Sequence, residues 1–188
     1  MKSAIVGCGS IAQVHGRVLT NWIDTKLVGA ADTNTRKADE YAAAWHTRSY
    51  TSLEEMLESE KPDVLHICTP HYLHVPMAEY ALERGIHVFM EKPPAISWGQ
   101  LARLEHAVRD SQASLGLCYQ NRFNPSVQEA RRILYSKEAG RILGARGLVT
   151  WHRDDAYYAD STWRGALTTE GGGVLINQAI HTMDLLHY

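Results

Sequence analysis

The sequence predicts an α/β fold: a doubly wound parallel-sheet Rossmann domain followed by the beginning of an α+β open-sheet domain. Three observations carry this expectation. Short apolar runs alternate with amphipathic stretches over the first two-thirds of the 188 residues. A glycine-rich turn, Gly7-Cys8-Gly9-Ser10-Ile11-Ala12, directly follows the first run. The pattern then changes character after Asn124-Pro125. Strict strand–helix alternation requires parallel pairing with right-handed crossovers, which places helices on both faces of one sheet. Residues 1–122 are therefore read as one domain and 123–188 as the opening part of a second.

Each element has its own signal. Residues 3–6 form a strand candidate, the glycine turn follows, and a helix runs to about Thr20. Residues 27–31 are a second strand ending at Asp32, and the alanine-rich stretch 36–45 is a helix. Ser52 and Glu55 have capping-box spacing and open a helix over 52–58. Residues 63–68 read as a buried strand closed by Thr69-Pro70, and 76–84 as a helix stopped by Gly85. A strand over 87–90 ends in Glu91-Lys92-Pro93-Pro94; a helix from Ser97 to about Ser111 and a strand over 113–119 complete the sheet. Beyond it come a helix over 126–137, a long strand over 142–151, a polar aromatic loop over 153–169, and a last helix from Val174. One long strand cannot satisfy its own edges, so this second domain reads as incomplete and the chain as truncated.

Composition narrows the classes of function. Hydrophobic residues make up 45% and charged residues 21%, the usual mix of a folded domain. The net charge of -2 and a pI near 6.5 argue against nucleic-acid binding, which needs clustered basic excess. Cys8, Cys68 and Cys118 are odd in number and far apart, giving neither a disulfide framework nor zinc spacing. No apolar run approaches a signal peptide or a membrane span, so a cytoplasmic setting without a membrane partner is expected.

The glycine turn fits G-x-G-x-x-G/A after a strand and at the opening of a helix. Its first glycine permits the tight turn, its second lets a pyrophosphate approach the backbone, and Ala12 lets helix and strand pack closely. The helix N-terminus offers unpaired N–H groups to phosphate. Asp32 lies 20 residues past Ala12 at a strand end, where an acid binds the ribose hydroxyls. Its charge favours NAD, and nearby Arg36 keeps NADP open. Ligands of such sheets lie beyond the carboxyl ends of the strands, which draws in the loops from Thr69 to His74 and from Glu91 to Pro93. Asn177, His181 and Asp184 are spaced to share one helix face, with His181 a candidate proton acceptor. Two of them at i, i+3 make a poor metal site, and no metal is expected.

Together, Gly7-Cys8-Gly9-Ser10-Ile11-Ala12, Thr69-Pro70 with His74, Glu91-Lys92-Pro93, and the run from Gly171-Gly172-Gly173 to Asn177, His181 and Asp184 resemble the Gfo/Idh/MocA oxidoreductases. This is the glucose–fructose oxidoreductase and inositol dehydrogenase group. The resemblance implies a nicotinamide-dependent dehydrogenase acting on the CH–OH group of a sugar, cyclitol or sugar derivative. It implies Lys92 and His181 as catalytic residues, with Gly7, Gly9, Ser10, Ile11, Asp32, Thr69, Pro70, His74, Glu91 and Lys92 along the cofactor. It further implies Trp163, Arg164, Asn177, His181 and Lys92 on the substrate side, and a homo-oligomer in the full-length form. Many members carry an aspartate where this chain has Asn177, and an amide does not accept a proton at neutral pH. Two other readings stay open at this point: a dinucleotide-binding regulator without catalysis, and an enzyme that uses transient oxidation for elimination or epimerisation.

Overall fold

The computed structural model describes residues 1–159 and 161–188. They form two compact units, Met1–Leu117 and Cys118–Tyr188.

In the first unit, six parallel strands lie in the order β3-β2-β1-β4-β5-β6: β1 Lys2–Val6, β2 Lys26–Ala31, β3 Arg48–Tyr50, β4 Val64–Ile67, β5 His87–Met90 and β6 Leu115–Leu117. Helices α1 Ser10–Asn21, α2 Thr35–Trp45, α3 Leu53–Glu60, α4 His74–Leu82 and α5 Trp98–Asp110 cross between them. Side chains alternate across a strand, so each strand feeds two cores. Ala4 and Val6 of β1, Leu65 and Ile67 of β4, and Val88 and Met90 of β5 join one cluster with Met56, Val75, Leu82 and Leu104. Ile5 points the other way, into a second cluster with Ala12 and Leu19 of α1 and Tyr41 of α2. Burial on both faces is what makes these strands apolar throughout. The order reverses direction at β1, whose neighbours are β2 and β4, and the loops leaving β1 and β4 flank the crevice there.

Local chemistry sets the helix starts. Asn34, Ser52 and Ser97 accept the N–H of Lys37, Glu55 and Gln100 and so cap α2, α3 and α5. Helix α4 begins two residues earlier than the sequence predicts, because Pro76 lies in its first turn, where no backbone N–H is needed. Strand β3 escapes sequence reading: three residues, mostly polar, at the sheet edge.

The second unit holds α6 Pro125–Ser136, α7 Asp155–Ala159, α8 Leu167–Glu170, α9 Val174–Asn177 and α10 Ile180–His187. Three expectations are corrected here. The strand predicted over 142–151 has no regular structure, since none of the described residues pairs with it and a strand without a ladder leaves its backbone groups to water. The stretch 153–169, read as loop, contains α7 and α8. The single last helix is broken into α9 and α10 at Gln178-Ala179, so Asn177 stands on a different segment from His181 and Asp184.

Candidate functional site

The turn after β1 is fitted to its place by Gly7. Its φ is +87°, and a Cβ there would lie 2.8 Å from the backbone of Cys68 and Thr69. Only glycine lets the β1 and β4 turns approach this closely. Gly9 follows as the N-cap of α1 with no side-chain cap, so the first N–H groups of a 12-residue helix are left for a ligand. A Cβ on Gly9 would meet no atom within 4 Å. The space above it is open on the side where a pyrophosphate must come, and the residues fit a dinucleotide in this respect. Ser10 and Ile11 begin the helix and are exposed, whereas Ala12 is fully buried against the sheet.

Asp32, at the end of β2, accepts the Cys8 N–H at 2.9 Å with Oδ2 and the Asn34 N–H at 2.8 Å with Oδ1. A carboxylate has about four lone-pair sites, so both oxygens keep capacity for a ribose diol. Burial and the Asp32 charge push the Cys8 thiol up to about 12, keeping it a thiol at neutral pH.

The loops after β4 and β5 meet through His74. Its side chain is fully buried, with Nδ1 2.8 Å from the Pro93 carbonyl and Nε2 3.0 Å from the Thr69 carbonyl. Burial holds its pKa below the usual histidine value, against the pull of both carbonyls. Both ring nitrogens face backbone carbonyls; the neutral ring has one N–H to donate, and His74 sits between the two loops that carry Thr69-Pro70 and Lys92. Glu91 is buried and bonds His15 Nε2 at 3.0 Å, while Lys92 is half-buried. His15 and its neighbour His66 were not singled out by the sequence. The signal for His15 was there, because Ala12, His15, Gly16 and Leu19 form the buried stripe of α1.

In the second unit, Asn177 is buried and its amide donates to Glu170 and, at 3.2 Å, to the Tyr157 hydroxyl. Glu170, 3% exposed, also accepts the Gly165 N–H at 2.7 Å. A carboxylate therefore stands beside position 177, supplied by α8. The Arg164 guanidinium lies 4.5 Å from the Tyr157 ring and 5.3 Å from that of Trp163, whose carbonyl accepts the Thr169 hydroxyl at 2.7 Å. Asp184 is held bidentately by Arg122, with Nε to Oδ2 at 2.8 Å. His181 faces the Tyr119 ring edge-on at 6.2 Å. The three residues expected on one helix face thus serve three different partners.

A parallel sheet in this order, with an open glycine turn at its switch point and an acid ending β2, defines a Rossmann protein. The chain belongs to the Gfo/Idh/MocA oxidoreductase family: its oxidoreductase, NAD-binding Rossmann-fold model matches residues 1–119 and its C-terminal-domain model residues 127–188. D-glucoside 3-dehydrogenase of Escherichia coli K12 is 30% identical over 193 residues, covering 100% of this chain and 53% of that protein. Glucose-6-phosphate 3-dehydrogenase of Bacillus subtilis is 27% identical over 191 residues, again 100% of this chain and 53% of that protein. The WlbA dehydrogenase of Bordetella pertussis, solved with NADH and UDP-GlcNAcA, superposes with a TM-score of 0.92 at 32% identity, covering 99% of this chain and 54% of that one. The chain spans about half the length of the curated relatives it matches.

Proposed function

We propose that this chain binds NAD and takes part in hydride transfer between the nicotinamide and a hydroxyl-bearing carbon of a sugar, cyclitol or sugar derivative. The observation that carries the reading is the uncapped N-terminus of α1 under the open face of Gly9, with Asp32 at the neighbouring strand end. Names and ligands of the relatives point the same way: two are sugar 3-dehydrogenases, and the Bordetella protein holds NADH.

When bound, the nicotinamide supplies a hydride acceptor or donor. The chain's residues do the rest. The α1 N–H groups hold the pyrophosphate, and Asp32 accepts from the ribose hydroxyls and repels a 2′-phosphate. Lys92, at the carboxyl end of β5, donates to the reacting oxygen and stabilises its developing charge. His181 takes the hydroxyl proton on oxidation and returns it on reduction. Thr69, Pro70 and Glu91 shape the cofactor side, and Trp163, Arg164 and Asn177 the substrate side. A cytoplasmic setting and a homo-oligomeric full-length form belong to the same proposal. Among the described residues, no helix is long and apolar enough to cross a membrane.

The test is a fluorescence titration with NADH and NADPH. The unmodified chain binds NADH more tightly than NADPH. Gly9→Ala, whose new methyl meets open space, keeps its melting temperature but loses about tenfold or more in NADH affinity. Equal NADH affinity in Gly9→Ala sinks the reading.

A further inference from the structure

The segment that carries Lys92 is gripped from two helices by buried imidazoles. Strand alternation continues through Phe89 to Glu91, so Glu91 turns to the α1 side of the sheet together with His66 of β4. His15, on the buried stripe of α1, meets both: Nε2 lies 3.0 Å from Glu91 Oε1 and Nδ1 lies 3.0 Å from His66 Nδ1. The Phe89 ring closes over the pair, 5.8 Å from His15 and 5.3 Å from His66. On the other side of Lys92, the Pro93 carbonyl lies 2.8 Å from Nδ1 of His74 of α4.

We propose that His15 is a positioning residue: it fastens the loop bearing Lys92 to the dinucleotide helix through Glu91, as one half of a clamp that His74 completes at Pro93. The clamp gains its importance from the reading of Lys92 as the group that meets the reacting oxygen. Two facing Nδ1 atoms can bond only if one donates. Burial, and the neighbouring His15, push His66 down to about 4, so at neutral pH it is uncharged. In the proposed arrangement His66 donates from Nδ1 to His15 Nδ1, and the hydrogen on His15 Nε2 is directed at Glu91 Oε1. The chain of donors runs one way, His66 to His15 to Glu91. The dinucleotide turn and the Lys92 loop are then parts of one rigid frame, since α1 starts at Ser10, directly after Gly9, and its His15 holds Glu91 about one and a half turns later.

Two measurements on the full chain without dinucleotide test this. Long-range proton–nitrogen spectra at pH 7 are expected to show the hydrogen of His66 on Nδ1 and that of His15 on Nε2. A His15 hydrogen on Nδ1, or on both nitrogens, overturns the arrangement. Hydrogen exchange over residues 87–95 is expected to be about tenfold faster in His15→Leu, and close to the parent rate in His15→Gln, which keeps an N–H for Glu91. Unchanged exchange in a folded His15→Leu overturns the clamp; if that variant does not fold, the tautomer measurement decides. Failure of NADH to bind the unmodified chain, by contrast, strikes the dinucleotide reading and leaves both results standing.

Discussion

At the residue scale, glycines and histidines at the strand ends divide the work between geometry and charge. Gly7 has a positive φ and no room for a methyl, so Gly7→Ala is expected to destabilise the first unit by about 2–4 kcal/mol in chemical denaturation. Two positions on, Gly9→Ala has room and an ordinary φ of -78°, and its effect falls on the ligand alone. His66 adds a pH dependence. Its folded pKa of about 4 lies below the ordinary 6.5, so between those values the unfolded chain binds a proton that the folded chain does not. Stability therefore rises with pH across that window and is lost as pH falls from 6.5 toward 4, by about 3 kcal/mol at the limit. Urea melts from pH 4 to 8 should show this slope, and His66→Phe should flatten it. The glycine turn and Asp32 were legible in the sequence because local backbone needs dictate their types. The buried stripe of α1 marks His15 as inward-facing, but what it meets was not legible, because His66 and Glu91 lie 51 and 76 residues away along the chain.

At the scale of elements, caps and buried carboxylates decide where helices begin and what they hold. Ser97 accepts the Gln100 N–H at 3.2 Å, so Ser97→Ala should lower stability by about 1 kcal/mol with the fold unchanged. Glu170 carries more. It satisfies the Gly165 N–H and the Asn177 amide, both of which Glu170→Ala would leave without that acceptor. Thermal melts should then register a loss of about 2–3 kcal/mol in the second unit. The last helix shows where periodicity fails. Asn177, His181 and Asp184 have correct spacing for one face, yet the break at Gln178-Ala179 and the separate pull of Glu170, Tyr119 and Arg122 divide them. Spacing predicts directions only while the helix is continuous.

At the scale of the molecule, the two units differ in how much they bury. The first has clusters on both faces of its sheet, while 142–151 in the second is exposed and without a hydrogen-bond ladder. Limited proteolysis should cut within 142–151 first and leave a resistant fragment containing Met1–Leu117. Cleavage inside β1, β4 or β5 at comparable rate would contradict that order. What the sequence alone determined is the doubly wound sheet and its glycine turn, since strand–helix alternation, apolar runs and the G-x-G-x-x-A spacing are properties of neighbours along the chain. Only the tertiary structure decided that strand 142–151 does not form, that Glu170 stands beside Asn177, and that His15 and His74 hold the loop around Lys92. Each of these depends on a partner brought near by folding, and a hydrogen bond across the sheet leaves no periodic trace in the sequence.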